Sequence, residues 1–272
     1  MVAISLHSIV PVRAEAREGA EQNTQMLFGE LCQIINHKSE ITNDRWRYVR
    51  LDSDGQEGWV DAKMVTPMSD EEYMTYAEAL KSAAMVAFPM TYAVSENNGQ
   101  TIPLTAGTKL TNYQSPMTND ASPARFEVLG VGFRIDPSMV ITEPRELSQE
   151  NLLQTVRFFL NVPYLWGGKN ALGMDCSGFT QTVMSLFGKS LKRNASEQVT
   201  QGEEVSLEQA KAGDLAFFDH QDGKISHVGI MIDPERIIHC SGRVKVEKLD
   251  SQGIFNAESG EYTHHLTKIR RL

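Results

Sequence analysis

The chain has 272 residues, 41% hydrophobic and 22% charged, a length for two or three domains and a usage that builds real cores, which excludes a lone small binding module and a broadly disordered chain. Lys and Arg number 26 against 35 Asp and Glu, a net charge of -9 that repels a phosphate backbone, so no nucleic-acid partner is expected. The longest weakly charged stretch, residues 82–95, falls short of the roughly 20 apolar residues of a bilayer span and contains Pro89, so no transmembrane helix is expected.

The N-terminus, MVAISLHSIVPVRAEARE, shows no basic start, sustained apolar run or small-residue cleavage pattern. The expectation is a cytoplasmic protein, or one of the cell envelope if a leader has been trimmed. Three cysteines, Cys32, Cys176 and Cys240, are too few and odd for a disulfide framework and fit reduced thiols.

Residues 1–66 carry short alternating segments, including Met26 to Ile35 and Trp46 to Leu51, punctuated by Asp52, Ser53, Asp54 and Gly55; this predicts a small β-barrel. Over 67–83, Ser69 precedes Asp70, Glu71 and Glu72 and the helically spaced Tyr73, Tyr76, Ala77 and Leu80, which predicts a connecting helix. A second β-rich stretch, 84–143, ends in Ile135-Asp-Pro-Ser-Met-Val140, echoing Val60-Asp-Ala-Lys-Met-Val65 and suggesting a duplicated β module. Two unrelated β segments ending in similar turns are the alternative.

From Ser148 the texture changes. A helix is predicted over Gln149 to Leu160, then a Gly-rich turn, Pro163 to Gly168, and a helix from Cys176 to Phe187. Strands follow at Asp214 to Phe218, Ser226 to Ile232 and Arg236 to His239. Helices followed by antiparallel strands make an α+β domain over 144–272.

Cys176 falls in the first turn of its predicted helix, where unpaired N–H groups and the helix dipole favour a thiolate, the nucleophilic form. A small buried cysteine is the alternative. His227 and His239 lie on consecutive predicted strands; a hairpin centred on Asp233 sets them directly opposite, with His227, Gly229 and Met231 on one face and Val228, Ile230 and Ile232 in a core against the Cys176 helix. Thiol, base and a group that fixes the base's tautomer are what nucleophilic acyl transfer requires. A satisfied histidine pair, or a metal held by His227, His239 and Cys240, are the alternatives; the metal reading is opposed by the opposite facings of residues 239 and 240 and by the lack of a ligand-spacing motif.

Pro163-Tyr-Leu-Trp-Gly-Gly168, Asp175-Cys-Ser-Gly-Phe179, Gly213-Asp-Leu-Ala-Phe-Phe218, Ser226-His-Val-Gly-Ile230 and Ile238-His239 resemble, in order and spacing, the NlpC/P60 cysteine peptidases over roughly residues 148–272. The front half resembles the two bacterial SH3 domains of the subgroup that acts as γ-D-glutamyl-L-diamino acid endopeptidases, through Gln25-Met-Leu-Phe-Gly-Glu30, Trp46 to Val49 and Gly58-Trp-Val60. The resemblance implies a papain-like catalytic domain behind two small SH3-like barrels, with Cys176 as nucleophile, His227 as base and His239 as its orienting partner. It implies a murein-derived L-Ala-γ-D-Glu-diamino acid peptide as substrate and a part in peptide recycling; apart from the resemblance, no cofactor or metal is expected, and the chain is expected to be a monomer.

Trp166, Asp175 and Ser177 correspond to cleft residues of the subgroup, and Ser196 to another. The first SH3 domain of such proteins walls off the cleft, and a Glu and a Tyr bind the free amine of L-Ala. Glu21 corresponds to the Glu, whereas Gln56 stands where the Tyr is expected and would replace it in hydrogen bonding the amine. A carboxylate-rich peptide needs a cation in the cleft of so acidic a protein, and Arg193 is the candidate. A non-catalytic peptidoglycan-binding protein, or an acyltransferase or amidase on the same scaffold, are the competing functions.

Overall fold

The computed structural model describes residues 1–35, 45–116, 122–220 and 222–272. The chain divides into two compact units, Met1–Glu143 and Pro144–Leu272.

In the first unit, β1 (Val2–Ile4), β2 (Ile9–Arg13), β3 (Gln22–Leu27), β4 (Leu31–Ile34), β5 (Trp46–Leu51), β6 (Glu57–Asp61) and β7 (Thr66–Met68) form one sheet in the order β3-β2-β6-β5-β4-β1-β7. Alternation puts Val10, Val12, Met26, Val49, Leu51 and Val60 into its core. Helix α1 (Asp70–Ala79) starts where Ser69 and Glu72 form a reciprocal capping box.

The second β stretch contributes β8 (Ala84–Val86), β9 (Met90–Ser95), β10 (Thr101–Thr105), β11 (Lys109–Leu110), β12 (Ala124–Val128), β13 (Val131–Ile135) and β14 (Val140–Ile141). They pair as β10-β9-β13-β12 and β11-β8-β14. The echo seen in the sequence is one local structure used twice: Asp61 accepts from the Lys63 N–H and Asp136 from the Ser138 N–H, each opening a short 3-10 turn. The two β modules also share a core, because Ile4, Phe28, Leu31 and Tyr76 pack with Val86, Phe126 and Phe133. Phe28 meets Phe133 edge to face at 5.5 Å.

The second unit opens with α2 (Gln149–Val156), capped by the Ser148 hydroxyl, which accepts from the Asn151 N–H. A short hairpin of β15 (Lys169–Asn170) and β16 (Gly173–Met174) leads into α3 (Cys176–Ser185), followed by α4 (Ala195–Gln198). The remaining strands are β17 (Glu203–Glu204), β18 (Leu215–Asp219), β19 (His227–Asp233), β20 (Arg236–Ser241), β21 (Arg243–Leu249), β22 (Gly253–Asn256) and β23 (Glu261–Arg271). They are antiparallel in the order β17-β23-β18-β19-β20-β21-β22, and a further β22–β23 pairing closes six of them into a barrel. The face of β19 that carries His227 and Met231 is therefore buried too, unlike a sheet covered by a helix on one side alone. Met231 packs there with Ala216, Phe218, Ile237, Leu249, Ile254 and Ile269.

Candidate active site

The N-terminus of α3 is built around Asp175, whose extended backbone makes it the N-cap. Its Oδ1 accepts from the Gly178 N–H at 2.7 Å and from the Ser177 hydroxyl at 3.2 Å, and its Oδ2 accepts from the Gly167 N–H at 2.9 Å. One carboxylate thus ties the helix that begins with Cys176 to the Gly-rich turn. Arg193 completes the tie: Nη1 donates to Asp175 Oδ1 at 3.0 Å and to Ser177 Oγ at 3.0 Å, and Nη2 donates to Asp175 Oδ2 at 2.6 Å. At 1% exposure, Arg193 turns its charge onto Asp175 inside the domain. It anchors the start of α3, where the sequence reading places it as a cation presented to substrate carboxylates.

Cys176, in the first turn of α3, is buried, with the backbone N–H groups of Val228 and Ser177 near enough to its sulfur to favour the thiolate. Val228 follows His227, so the thiol sits against the start of β19. Burial pushes the Cys176 thiol up to about 11, aided by the neighbouring Asp175 carboxylate and opposed by those two N–H groups and Arg193. The helix terminus alone favours a thiolate; desolvation outweighs it here, and the resting group is the neutral thiol.

His227 Nε2 lies 2.8 Å from His239 Nδ1, and His239 Nε2 lies 2.8 Å from Glu247 Oε2. The pairing register differs from a hairpin centred on Asp233: His239 is opposite Gly229, with an irregularity between Met231 and Asp233. The difference is two residues, so His227 keeps its face and meets His239 on the diagonal. His239 in turn is opposite Lys245, and Glu247 is again its diagonal neighbour. Burial first, and then His239, His264 and His220, hold His227 well below the ordinary histidine range. Burial thus favours the neutral imidazole of His227 as it favours the neutral thiol of Cys176.

Three nearby residues escape the sequence reading as site residues. His264, from β23, packs against His227 with ring centroids 4.1 Å apart and the ring planes tilted by 32°. Tyr164 is held above its ordinary range by burial and by Cys176, which places its hydroxyl in the field of that thiol. Glu247 ends the histidine chain. His264 and Glu247 carry no motif, but each shares a strand face with the histidines, and that parity is the signal that could find them.

Trp166, in the Pro163–Gly168 turn, is 59% exposed, a large apolar surface. Ser177 is buried against Asp175 and Arg193, and Ser196 is exposed on α4. Cys240 turns from the histidines and donates to the Met174 carbonyl at 3.1 Å. In the other unit, Glu21 is exposed ahead of β3, and Gln56 is half-buried in the β5–β6 turn, its N–H donating to Asp54 Oδ1 at 2.9 Å.

A closed barrel flanked by a helix that begins with a buried cysteine, with paired histidines on adjoining strands, defines the class, and comparison with known proteins gives it a name. Residues 161–267 match the NlpC/P60 family and residues 12–64 match the bacterial dipeptidyl-peptidase SH3 domain. The chain carries an NlpC/P60 domain preceded by a bacterial SH3 domain.

The γ-D-glutamyl-L-lysine dipeptidyl-peptidase of Bacillus subtilis (strain 168) is 39% identical over 114 residues, 41% of this chain and 38% of the relative's length. A protein of the same name from Bacillus cereus is 34% identical, the match spanning 35% of its length. The dipeptidyl-peptidase 6 of Lysinibacillus sphaericus is 27% identical over 93% of both chains. The solved structure of an NlpC/P60 family protein from Bacillus cereus ATCC 10987 superposes with a TM-score of 0.81 over 100% of this chain and 99% of its own, at 19% identity. The fold is α+β, an NlpC/P60 domain behind an SH3-like domain.

Proposed function

We propose that the chain is a cysteine endopeptidase that hydrolyses the bond between the γ-carboxyl of D-Glu and the amine of an L-diamino acid in short murein peptides. The observation that carries this reading is the placement of Cys176 against the Val228 N–H, at the head of a strand whose His227 is 2.8 Å from His239. Among the relatives, two are named for γ-D-glutamyl-L-lysine dipeptidyl-peptidase activity.

In this mechanism His227 takes the thiol proton as Cys176 Sγ adds to the γ-carbonyl carbon. The oxyanion is met by the Cys176 amide at the open end of α3. The tetrahedral adduct collapses, its C–N bond breaks, and the leaving amine takes the proton from His227. Burial makes the His227 imidazolium a strong acid, suited to protonating an amine. Water, deprotonated by His227, then splits the thioester and returns the thiol.

Trp166 and Ser196 are proposed to line the cleft, Asp175 and Ser177 to shape it from beneath, and Glu21 and Gln56 to recognise the free amine of L-Ala. The test is mass spectrometry of L-Ala-γ-D-Glu-diaminopimelate and its Lys counterpart, each beside an N-acetylated copy, with wild type and Cys176→Ala. Release of the diamino acid by the wild type alone, with the acetylated peptides spared, is the expected result. Release that persists in Cys176→Ala would sink the nucleophile assignment, and no release by folded, reduced wild type would sink the reading itself.

A further inference from the structure

The chain of hydrogen bonds from the thiol side does not stop at His239. It steps diagonally across three strands, His227 on β19, His239 on β20 and Glu247 on β21, with 2.8 Å at each step. Glu247 ends it as a carboxylate that also meets Lys245 Nζ at 3.1 Å. Histidine rings can carry the proton on either nitrogen, and the neighbour of one nitrogen decides the state of the other. We propose that Glu247 is a positioning residue that sets the tautomer of both histidines and so delivers an unprotonated Nδ1 of His227 to Cys176. This deepens the peptidase reading and rests on it only for the turnover arm of the test below.

The argument runs on donors and acceptors alone. An ionised carboxylate only accepts, so His239 Nε2 must carry its proton. In a neutral ring Nδ1 is then bare and must accept, so His227 Nε2 carries the proton and donates. His227 Nδ1 is left bare, and a bare nitrogen can take the thiol proton. Invert the first step and every later one inverts: a donor at position 247 puts the His239 proton on Nδ1, makes His227 Nε2 the acceptor and leaves Nδ1–H facing the thiol, with no base.

The charge states fit. Burial would raise Glu247, but hydrogen bonds from His239 and Lys245 outweigh it and hold the carboxyl below its usual range. Burial keeps His239 below the ordinary histidine range, although Glu247 pulls the other way. The other charged or titratable groups around His239 are Lys245, and His264 with its ring 5.8 Å away.

The test uses the full chain with 15N-labelled histidine, comparing wild type with Glu247→Met, which keeps most of the side-chain length but removes the acceptor and leaves the Lys245 ammonium, a donor, as the charged neighbour opposite His239. Expected in the wild type are protonated Nε2 and bare Nδ1 on both rings. In Glu247→Met a protonated Nδ1 should appear on both, with kcat on murein peptide falling roughly 10–100-fold while KM holds within about twofold. Glu247→Asp, too short by a methylene to reach His239, should shift the tautomers in the same direction. Unchanged tautomers in folded Glu247→Met would overturn the proposal whatever happens to turnover, and shifted tautomers with full turnover would overturn it as well. A wild type that releases no amine would sink the peptidase reading, and ring-nitrogen protonation would still decide the role of Glu247.

Discussion

Arg193 and Asp175 form a buried, two-pronged ion pair at the N-terminus of α3, with nitrogen–oxygen distances of 3.0 and 2.6 Å. Removing one partner of such a pair leaves the other as an uncompensated buried charge, which costs about 3–5 kcal/mol. Arg193→Met should therefore lower the melting temperature on the order of 10 °C, followed by circular dichroism. Arg193→Lys should fall in between, because an ammonium cannot bridge both oxygens. A melting point within a degree or two of wild type for Arg193→Met would show that the pair is not what holds the start of α3.

Titration of Cys176 distinguishes a resting thiol from a preformed ion pair. With Cys176 pushed up to about 11 and His227 well below its ordinary range, both groups are neutral at pH 7. Alkylation of Cys176 by iodoacetamide should climb about tenfold per pH unit from 7 toward 10, following the thiolate fraction. Cys32 and Cys240 are pushed to about 12 and are 0% exposed, so peptide mapping should find Cys176 modified first. A rate already level below pH 8 would mean a thiolate–imidazolium pair at rest.

Much of this site is legible in the chain. The start of α3 follows from Asp175 ahead of Phe179, Val183 and Met184, and the shared face of His227 and His239 survives a two-residue register difference because strand periodicity is two. What is not legible depends on closure. Gln149 to Leu160 reads as one helix, yet α2 ends at Val156. Glu247, in Val-Lys-Val-Glu-Lys, looks like an exposed acid until β21 is paired, and His264 reaches His227 only because β23 runs beside β18. The partner of Arg193 is hidden for a related reason: the carboxylate it meets lies 18 positions earlier and is brought to it only by the fold.

The buried histidines make the fold sensitive to acid. His227 and His239 are held below their ordinary range, chiefly by burial, and His264 is lowered to about 4 by burial and by His239 and His220. Below about pH 6.5 the unfolded chain takes up protons that these rings refuse in the fold, so stability falls as pH falls. The slope is up to about 1.4 kcal/mol per pH unit for each fully buried histidine, with a smaller share from the partly exposed His264. His264→Phe keeps a ring against His227 and removes one titrating group. Its urea midpoint should match wild type near pH 8 and fall less steeply between pH 6.5 and 4. Identical slopes for the two proteins would exclude His264 from the acid response.

Gly229 sits directly opposite His239, and a Cβ there would lie 2.8 Å from the His239 Cβ and 2.7 Å from Ile237 Cδ1. Its missing side chain is the room through which His227 reaches His239 on the diagonal. In an ordinary strand interior, Gly→Ala gains roughly 0.5–1 kcal/mol by restricting the unfolded chain. Here the sign should reverse, because the neighbour that must yield is the first side-chain carbon of His239, which cannot swing away without its backbone. Overpacking of this kind costs about 1–3 kcal/mol. Gly229→Ala should therefore be less stable to urea and, while still folded, lose more turnover than its modest instability explains, since any shift of His239 opens the 2.8 Å bond to His227. Peptide hydrolysis by folded Gly229→Ala at the wild-type rate, with equal or greater stability, would refute the idea that this glycine makes space for the relay.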